Sequence, residues 1–155
     1  MKTIFGLILF FSLCGLGNAQ SQSTDVKFSD KLYEQSEVVD KISGNVLEML
    51  QGSNLDRDYQ MGMEAYDISY VLGLHIDSLL TLYYIHSLMK NHHDRIIIKG
   101  YRDRQCRSSA ALGERVIDRI NKVLPSIKSI ALVNEITKMR DAIDGMMKTL
   151  EICKK

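Results

Sequence analysis

The fold of this chain is decided by residues 58–90, DYQMGMEAYDISYVLGLHIDSLLTLYYIHSLMK, where apolar side chains recur at helical spacing and no proline occurs. Between Asp67 and Lys90 the only formal charge is Asp77. At 100° per residue, one side of the predicted helix carries Met61, Ala65, Ile68, Leu72, Leu79, Leu82 and Met89. The opposite side carries Tyr59, Met63, Tyr66, Tyr70, Leu74, Leu80, Tyr84 and Leu88. A helix that is apolar on both sides lies at the centre of a bundle or presents one side to a second molecule.

The same apolarity raises the alternative of a membrane-spanning helix. Asp77 and the two histidines of this segment argue against it, because a charge at mid-bilayer costs roughly 3 kcal/mol. We therefore expect no transmembrane segment in the mature chain. Association of this helix with a membrane, lying on or in the bilayer, is kept as a further alternative.

Three further helices are predicted around this segment, which itself begins between Asn54 and Asp58. The first begins near Ser29, whose hydroxyl can cap free backbone N–H groups, and ends at residues 52–54. The polar residues 20–25 before it are expected to be frayed. The core stripe of this helix comprises Leu32, Val39, Ile42, Val46 and Leu50.

A hinge at residues 91–101 separates the second and third helices and contains three consecutive isoleucines, 96–98. We expect the isoleucines to join the third helix, residues 102–124, or to pack as a loop. Pro125 ends the third helix, because proline lacks the N–H and restricts the residue before it. Asn134 can cap the fourth helix. The sequence therefore predicts an all-α fold, an antiparallel bundle of about four helices.

The first 19 residues have the layout of a secretory signal peptide. Lys2 is followed by an apolar run from Ile4 to Leu16 and by small residues that end at Ala19. The run is too short and wrongly flanked for a spanning helix, and a retained anchor is the alternative. Cleavage after Ala19 would leave 136 residues, one helical domain over 20–155, in a periplasmic or secreted protein.

Charge is unevenly distributed along the mature chain. Residues 20–89 carry 11 acidic and 4 basic residues, a net charge of −7, whereas 90–155 carry 8 acidic and 15 basic residues, a net charge of +7. The total of zero lacks the basic excess of nucleic-acid-binding proteins, so no nucleic acid is expected. The asymmetry has two possible interpretations. Acidic helices could pack beside basic ones, or a surface with regions of both signs could dock a charged partner.

Two cysteines, Cys106 and Cys153, remain after the predicted cleavage, and an even count in an exported protein favours a disulfide. They lie 18 residues before Leu124 and 19 residues after Asn134, so an antiparallel hairpin brings them to the same level. Two free buried thiols are the alternative. Cys14 lies in the leader, and the bulky residue before it excludes a lipid anchor.

Two groups of residues are candidates for contact with a partner. Tyr59, Tyr66 and Tyr70 lie within about 40° on the second helix, and tyrosine combines contact area with a hydroxyl. The densest basic stretch includes Arg102, Arg104 and Arg107, and the guanidinium group suits recognition of carboxylates or phosphates. The alternative for the tyrosines is that they pack in the core. The alternative for the arginines is that they lie at a solvated helix start and form ion pairs with the acidic half of the chain.

His75 and His86 share one helical side but lie about 16 Å apart along the axis, so they cannot chelate one ion from this helix alone. A haem or metal site that uses either of them is the alternative function. No nucleophile elbow, phosphate-binding glycine loop or zinc-protease motif occurs, so we expect no enzyme. The favoured function is binding of another protein, as an inhibitor, an immunity-type protein or an envelope accessory protein. The partner could also be a second copy of the chain, which would give a homodimer. We expect no cofactor.

Overall fold

A computed structural model describes residues 19–52 and 56–154, and the side chains of residues 25–52 and 57–154. Four α helices make up almost all of this part: α1 (Ala19–Gln51), α2 (Asp56–Leu88), α3 (His92–Val123) and α4 (Ile130–Leu150). Short 3-10 turns cover Leu124–Ser126 and Glu151–Lys154. No strand occurs among the described residues, and the predicted all-α fold is confirmed. Apart from Ala19, the predicted leader lies outside the described residues.

The helices form an antiparallel four-helix bundle in which α1 and α3 are diagonal to each other. α1 packs against α2 and α4, and α3 packs against the same two helices. The antiparallel register of α1 and α4 follows from two hydrogen bonds. Asn45 Nδ2 donates to Glu135 Oε1 (2.9 Å), and Gln35 Nε2 donates to the Gly145 carbonyl (3.1 Å). A step of ten residues along α1 is therefore a step of ten residues back along α4.

The core lies between all four helices and consists almost entirely of aliphatic and methionine side chains. Its largest fully buried members are Leu32, Leu50, Leu72, Ile76, Leu79, Ile120, Ile136, Met139, Ile143, Met146 and Leu150. α2 contributes only one side to this core, and 22% of its most apolar 18-residue window is buried. It is therefore not a central helix, and its second apolar side faces outward.

Three helices begin earlier than the sequence-based prediction: α1 at Ala19, α3 at His92 and α4 at Ile130. For α1 and α4, tertiary contacts hold residues that local sequence leaves undecided. α1 begins at Ala19, ten residues before Ser29, and the Ser29 hydroxyl donates within the helix to the Val26 carbonyl (2.9 Å). The added segment contacts other helices, because Phe28 packs on Tyr83 with ring centroids 5.1 Å apart.

The fourth helix also begins earlier than predicted, at Ile130 rather than after Asn134. Ser129 is its N-cap, and the Ser129 hydroxyl accepts from the Leu132 N–H (3.4 Å). α3 begins at His92, ten residues before the predicted residue 102, so the predicted hinge at residues 91–101 is wrong. The start is set by a cap, since Asn91 Oδ1 accepts from the His93 N–H (2.9 Å). The three isoleucines 96–98 consequently lie inside α3, which is the first of the two alternatives considered for them.

Cys106 and Cys153 pair as predicted, with their Cα atoms 5.3 Å apart and both side chains buried. The two cysteines lie at the same level along the bundle although α4 begins earlier than predicted, because the connection between α3 and α4 extends along the bundle axis. The 3-10 turn Leu124–Ser126 rises about 2 Å per residue and carries the chain beyond the end of α3 before α4 turns back. The pair ties the far end of the α3–α4 hairpin together.

Candidate functional site

The three predicted tyrosines lie on one outward side of α2, which we call the tyrosine face (Tyr59, Tyr66 and Tyr70). Tyr59 and Tyr70 are 44% and 53% exposed, whereas Tyr66 is half-buried against the core. The rings of Tyr66 and Tyr70 stack, with centroids 6.2 Å apart and planes 14° apart. The pair therefore presents an ordered aromatic surface to the outside.

A groove of about 230 Å³ runs beside the stacked tyrosines, between α1 and α2. We call it the α1–α2 groove, and it is lined by Asp40, Ser43, Gly44, Tyr66, Tyr70, Gly73, Leu74 and Asp77. Glycine keeps it open on both helices. A Cβ at Gly44 would meet no atom within 4 Å, and one at Gly73 would lie 3.5 Å from Asp40 Oδ1. The groove thus combines aromatic rings with one carboxylate from each helix.

The two carboxylates of the groove carry negative charge that no described side chain neutralises. Neither Asp40 nor Asp77 forms an ion pair with a side chain of residues 25–52 or 57–154. Both are exposed on their outer sides, yet desolvation by the groove walls raises the pKa of each. The charges of Asp77 and Glu37 raise the pKa of Asp40 further. The groove is therefore an aromatic site of negative potential.

This electrostatic arrangement predicts that Asp77→Asn stabilises the fold at neutral pH. A carboxyl whose pKa is higher in the folded state than its ordinary 3.8 destabilises the fold when it is charged. That penalty is absent below pH 3.8 and grows as the pH rises through the raised pKa. We expect the variant to gain about 0.5 kcal/mol or less at pH 7, since water screens the group, and nothing at pH 3. Urea unfolding at both pH values measures this.

The exposed carboxylate Asp67, on the same helix but outside the groove, is the matched control, and Asp67→Asn should leave the unfolding curve unchanged. A lower free energy of unfolding for Asp77→Asn at pH 7 would mean that the Asp77 charge has a stabilising partner.

The apolar surface of α2 extends well beyond the groove. Leu74, Tyr84 and Leu88 are about half exposed along its length, which spans roughly 48 Å. By length and composition α2 is also the single helix of the described residues that could cross a membrane, over Arg57–Leu88. Such an unpartnered aromatic and apolar stripe is typical of a surface that a second molecule covers.

The predicted contact residue Arg102 lies inside the bundle end, only 7% exposed. Its Nη1 donates to Asp25 Oδ2 (2.6 Å), its Nη2 donates to Asp103 Oδ1 (3.2 Å), and its Cζ lies 4.6 Å from the centroid of the Tyr83 ring. Burial by itself would lower the pKa of Arg102. The hydrogen bond to Asp25 and the surrounding charges outweigh burial, so the net pKa of Arg102 is raised above its ordinary value. Burial also raises the pKa of Tyr83 to about 12, against the charge of Arg102. Arg102 therefore joins three helices, and its side chain is buried between them.

Arg104 and Arg107 lie on other sides of α3 and are exposed. The Arg104 guanidinium carbon lies 5.9 Å from the ring centroid of Tyr101, which is 55% exposed. These two arginines do not meet the tyrosine face, because α3 is diagonal to α1 and packs on the other side of α2. The predicted contact residues thus form two separate surfaces.

His75 of α2 contacts a side chain of α3, and His86 is influenced by the charges of α3. The His75 ring Nδ1 lies 3.4 Å from Gln105 Nε2, and the His75 carbonyl accepts from that same Nε2 (3.1 Å). Desolvation lowers the pKa of His86, and the charges of Arg102 and Arg95 lower it further. These cations also disfavour a metal ion there. Within the described residues, no three His, Cys, Asp or Glu side chains are placed to hold a metal ion.

The chain matches no family model, and comparisons with curated proteins and with solved structures found no significant match. The candidate site is therefore defined by its own geometry and charge. Sequence reasoning missed Asp40 and the groove itself. The available signal was the pair of glycines, Gly44 and Gly73, one in each of two neighbouring helices.

Proposed function

We propose that this protein binds another protein through the tyrosine face and the α1–α2 groove. The observation that carries the proposal is the stacked pair of the exposed Tyr70 and the half-buried Tyr66 beside the groove. Tyrosine supplies large contact area together with a hydroxyl, and it is enriched at the centres of protein interfaces. The exposed apolar residues along α2 extend the surface to the length of a helix.

A protein partner suits this surface better than a lipid bilayer or a small cofactor. Asp40 and Asp77 lie at the centre of the surface, and a bilayer would have to desolvate both. The groove volume of about 230 Å³ is smaller than the roughly 300–1,000 Å³ of small-molecule sites. A protein can fill the groove with one side chain and cover the rest of α2 at the same time.

Export of the mature chain, residues 20–155, to the periplasm or beyond belongs to the same proposal. Its support is the leader-like residues 1–19 and the Cys106–Cys153 pair, because disulfides persist in oxidising compartments. An inhibitor, an immunity-type protein or an envelope accessory protein would act in this way without chemistry of its own. A homodimer through the tyrosine face is the form of the proposal in which the partner is a second copy.

The double variant Tyr66→Ala with Tyr70→Ala tests the proposal. We expect binding at least about tenfold weaker, since central interface tyrosines contribute about 2 kcal/mol or more when truncated. Self-association is measured by sedimentation equilibrium, and partner binding by capture from the native envelope extract. Circular dichroism should show unchanged helical content.

Tyr101→Ala is the control, because Tyr101 is about as exposed as Tyr70 but lies beside Arg104 on the other surface. Binding lost in Tyr101→Ala and kept in the double variant would move the interface to α3. Unfolding of the double variant would mean that these tyrosines are core residues.

A further inference from the structure

The bundle already contains one arginine held by a tyrosine and two carboxylates, and this arrangement shows what a related site can bind. The Arg102 guanidinium lies over the Tyr83 ring, with Asp25 and Asp103 as its hydrogen-bonding carboxylates. The planar guanidinium stacks on an aromatic ring and donates along its edge, so ring and carboxylates act on it together.

The α1–α2 groove has the same set of groups without the cation. Two tyrosine rings, Tyr66 and Tyr70, stand beside the carboxylates of Asp40 and Asp77, which lie on different helices. No described side chain donates to either carboxylate within ion-pair distance. Desolvation and mutual repulsion make this charge costly, and a cation entering the groove would relieve both.

We propose that the α1–α2 groove receives an arginine side chain of the protein partner. The proposal rests on the proposed function and names the chemistry of the partner at one point of the interface. The negative charge of the α1–α2 half of the molecule, −7 over residues 20–89, favours the approach of a basic segment. Arginine is favoured over lysine because only the planar guanidinium stacks and donates at the same time.

The groove also has the right size for a single side chain. Its 230 Å³ admits one guanidinium head with its stem, and Leu74 at the rim offers an apolar contact for that stem. Because neither Gly44 nor Gly73 has a side chain, the backbone of both helices is reachable from within the groove. Their amide signals therefore report on the occupant directly.

The experiment titrates the ¹⁵N-labelled mature protein with N-acetyl-arginine amide and, separately, with N-acetyl-citrulline amide, its neutral isostere. We expect saturable shifts of the Gly44 and Gly73 amides with the arginine probe, with a dissociation constant in the millimolar range, and at least about tenfold weaker binding of the citrulline probe. Equal effects of the two probes, or no saturation by the arginine probe, would overturn the proposal without the need for any variant.

The double variant Asp40→Asn with Asp77→Asn should weaken binding of the arginine probe about tenfold. Asp30→Asn, which removes an exposed carboxylate of α1 outside the groove, should leave it unchanged. Arginine binding that is insensitive to the groove variant but weakened by Asp30→Asn would identify a diffuse acidic surface and contradict a defined site.

Different results would overturn arginine binding in the groove and protein binding through the tyrosine face. If the arginine probe does not bind but Tyr66→Ala with Tyr70→Ala still releases the partner, the tyrosine face is the interface and the groove takes no arginine. If the probe binds in the groove but the tyrosine variants keep their partner, the groove is a cation site outside the interface.

Discussion

Replacement of both Cys106 and Cys153 by alanine is expected to lower the free energy of unfolding by about 4 kcal/mol. The pair closes a loop across a sequence separation of 47 residues, and the chain-entropy model gives about 4 kcal/mol for a loop of that length. Both sulfurs are buried beside the last turn of the chain, so alanine adds no unsatisfied polar group. Guanidinium unfolding, followed by circular dichroism at 222 nm, measures the loss.

Reduced wild type is the control for this prediction, because it should unfold at the same denaturant concentration as the double variant. Both should remain helical in water, since α3 and α4 keep their apolar contacts. An oxidised protein no more stable than the reduced one would contradict the role given to the pair.

Asp58→Ala is expected to cost about 3 kcal/mol, although Asp58 is one acidic residue among the 11 of residues 20–89. Its carboxylate is 1% exposed and joins the start of α2 to the α3–α4 connection. Oδ1 accepts from the Lys128 N–H (2.9 Å), and Oδ2 accepts from the Ser129 N–H (2.8 Å). Alanine leaves both donors without this acceptor, and each hydrogen bond to a charged group is worth about 1.5–3 kcal/mol.

The matched control is Asp67→Ala on the exposed side of α2, where we expect a change within about 0.5 kcal/mol. Asp58→Asn keeps one acceptor oxygen and should lie between wild type and Asp58→Ala. Urea unfolding of the four proteins gives the order. An Asp58→Ala protein as stable as Asp67→Ala would mean that the connection is held by other contacts.

Helix type and number follow from the sequence because apolar spacing and the single proline act locally. The buried positions Ala65, Leu72 and Leu79 belong to one predicted side of α2. What periodicity could not decide is which of the two apolar sides of α2 faces the core, because both have the same spacing. Only the positions of α1 and α3 leave Tyr59 and Tyr70 outside.

Helix starts were predicted less well, for a related reason. The capping capacity of Asn134 is real, yet the chain turns five residues earlier, where Asp58 from another helix holds the N–H groups of Lys128 and Ser129. Phe28 and Asp25 likewise hold the first turns of α1 against α2 and α3. Such long-range contacts leave no local pattern in the sequence.

The sequence likewise predicted one part of the candidate site and not the other. The tyrosine face was predicted because its three members share a helical side. The groove was not, because it needs Asp40 from α1 and Asp77 from α2 at one level of the bundle. Arg102 was grouped with Arg104 and Arg107 by proximity along the chain, although its position on the helix turns it inward to Asp25 and Tyr83.

Site-specific photo-crosslinking in the cells that produce the protein shows directly whether the α2 face beside the groove is the binding surface. A benzoylphenylalanine is placed at Tyr70 in one variant and at the exposed Ser108 of α3 in the other. We expect a discrete crosslinked product from position 70 and none from position 108. A product from position 108 alone, or none from either position, would contradict this expectation.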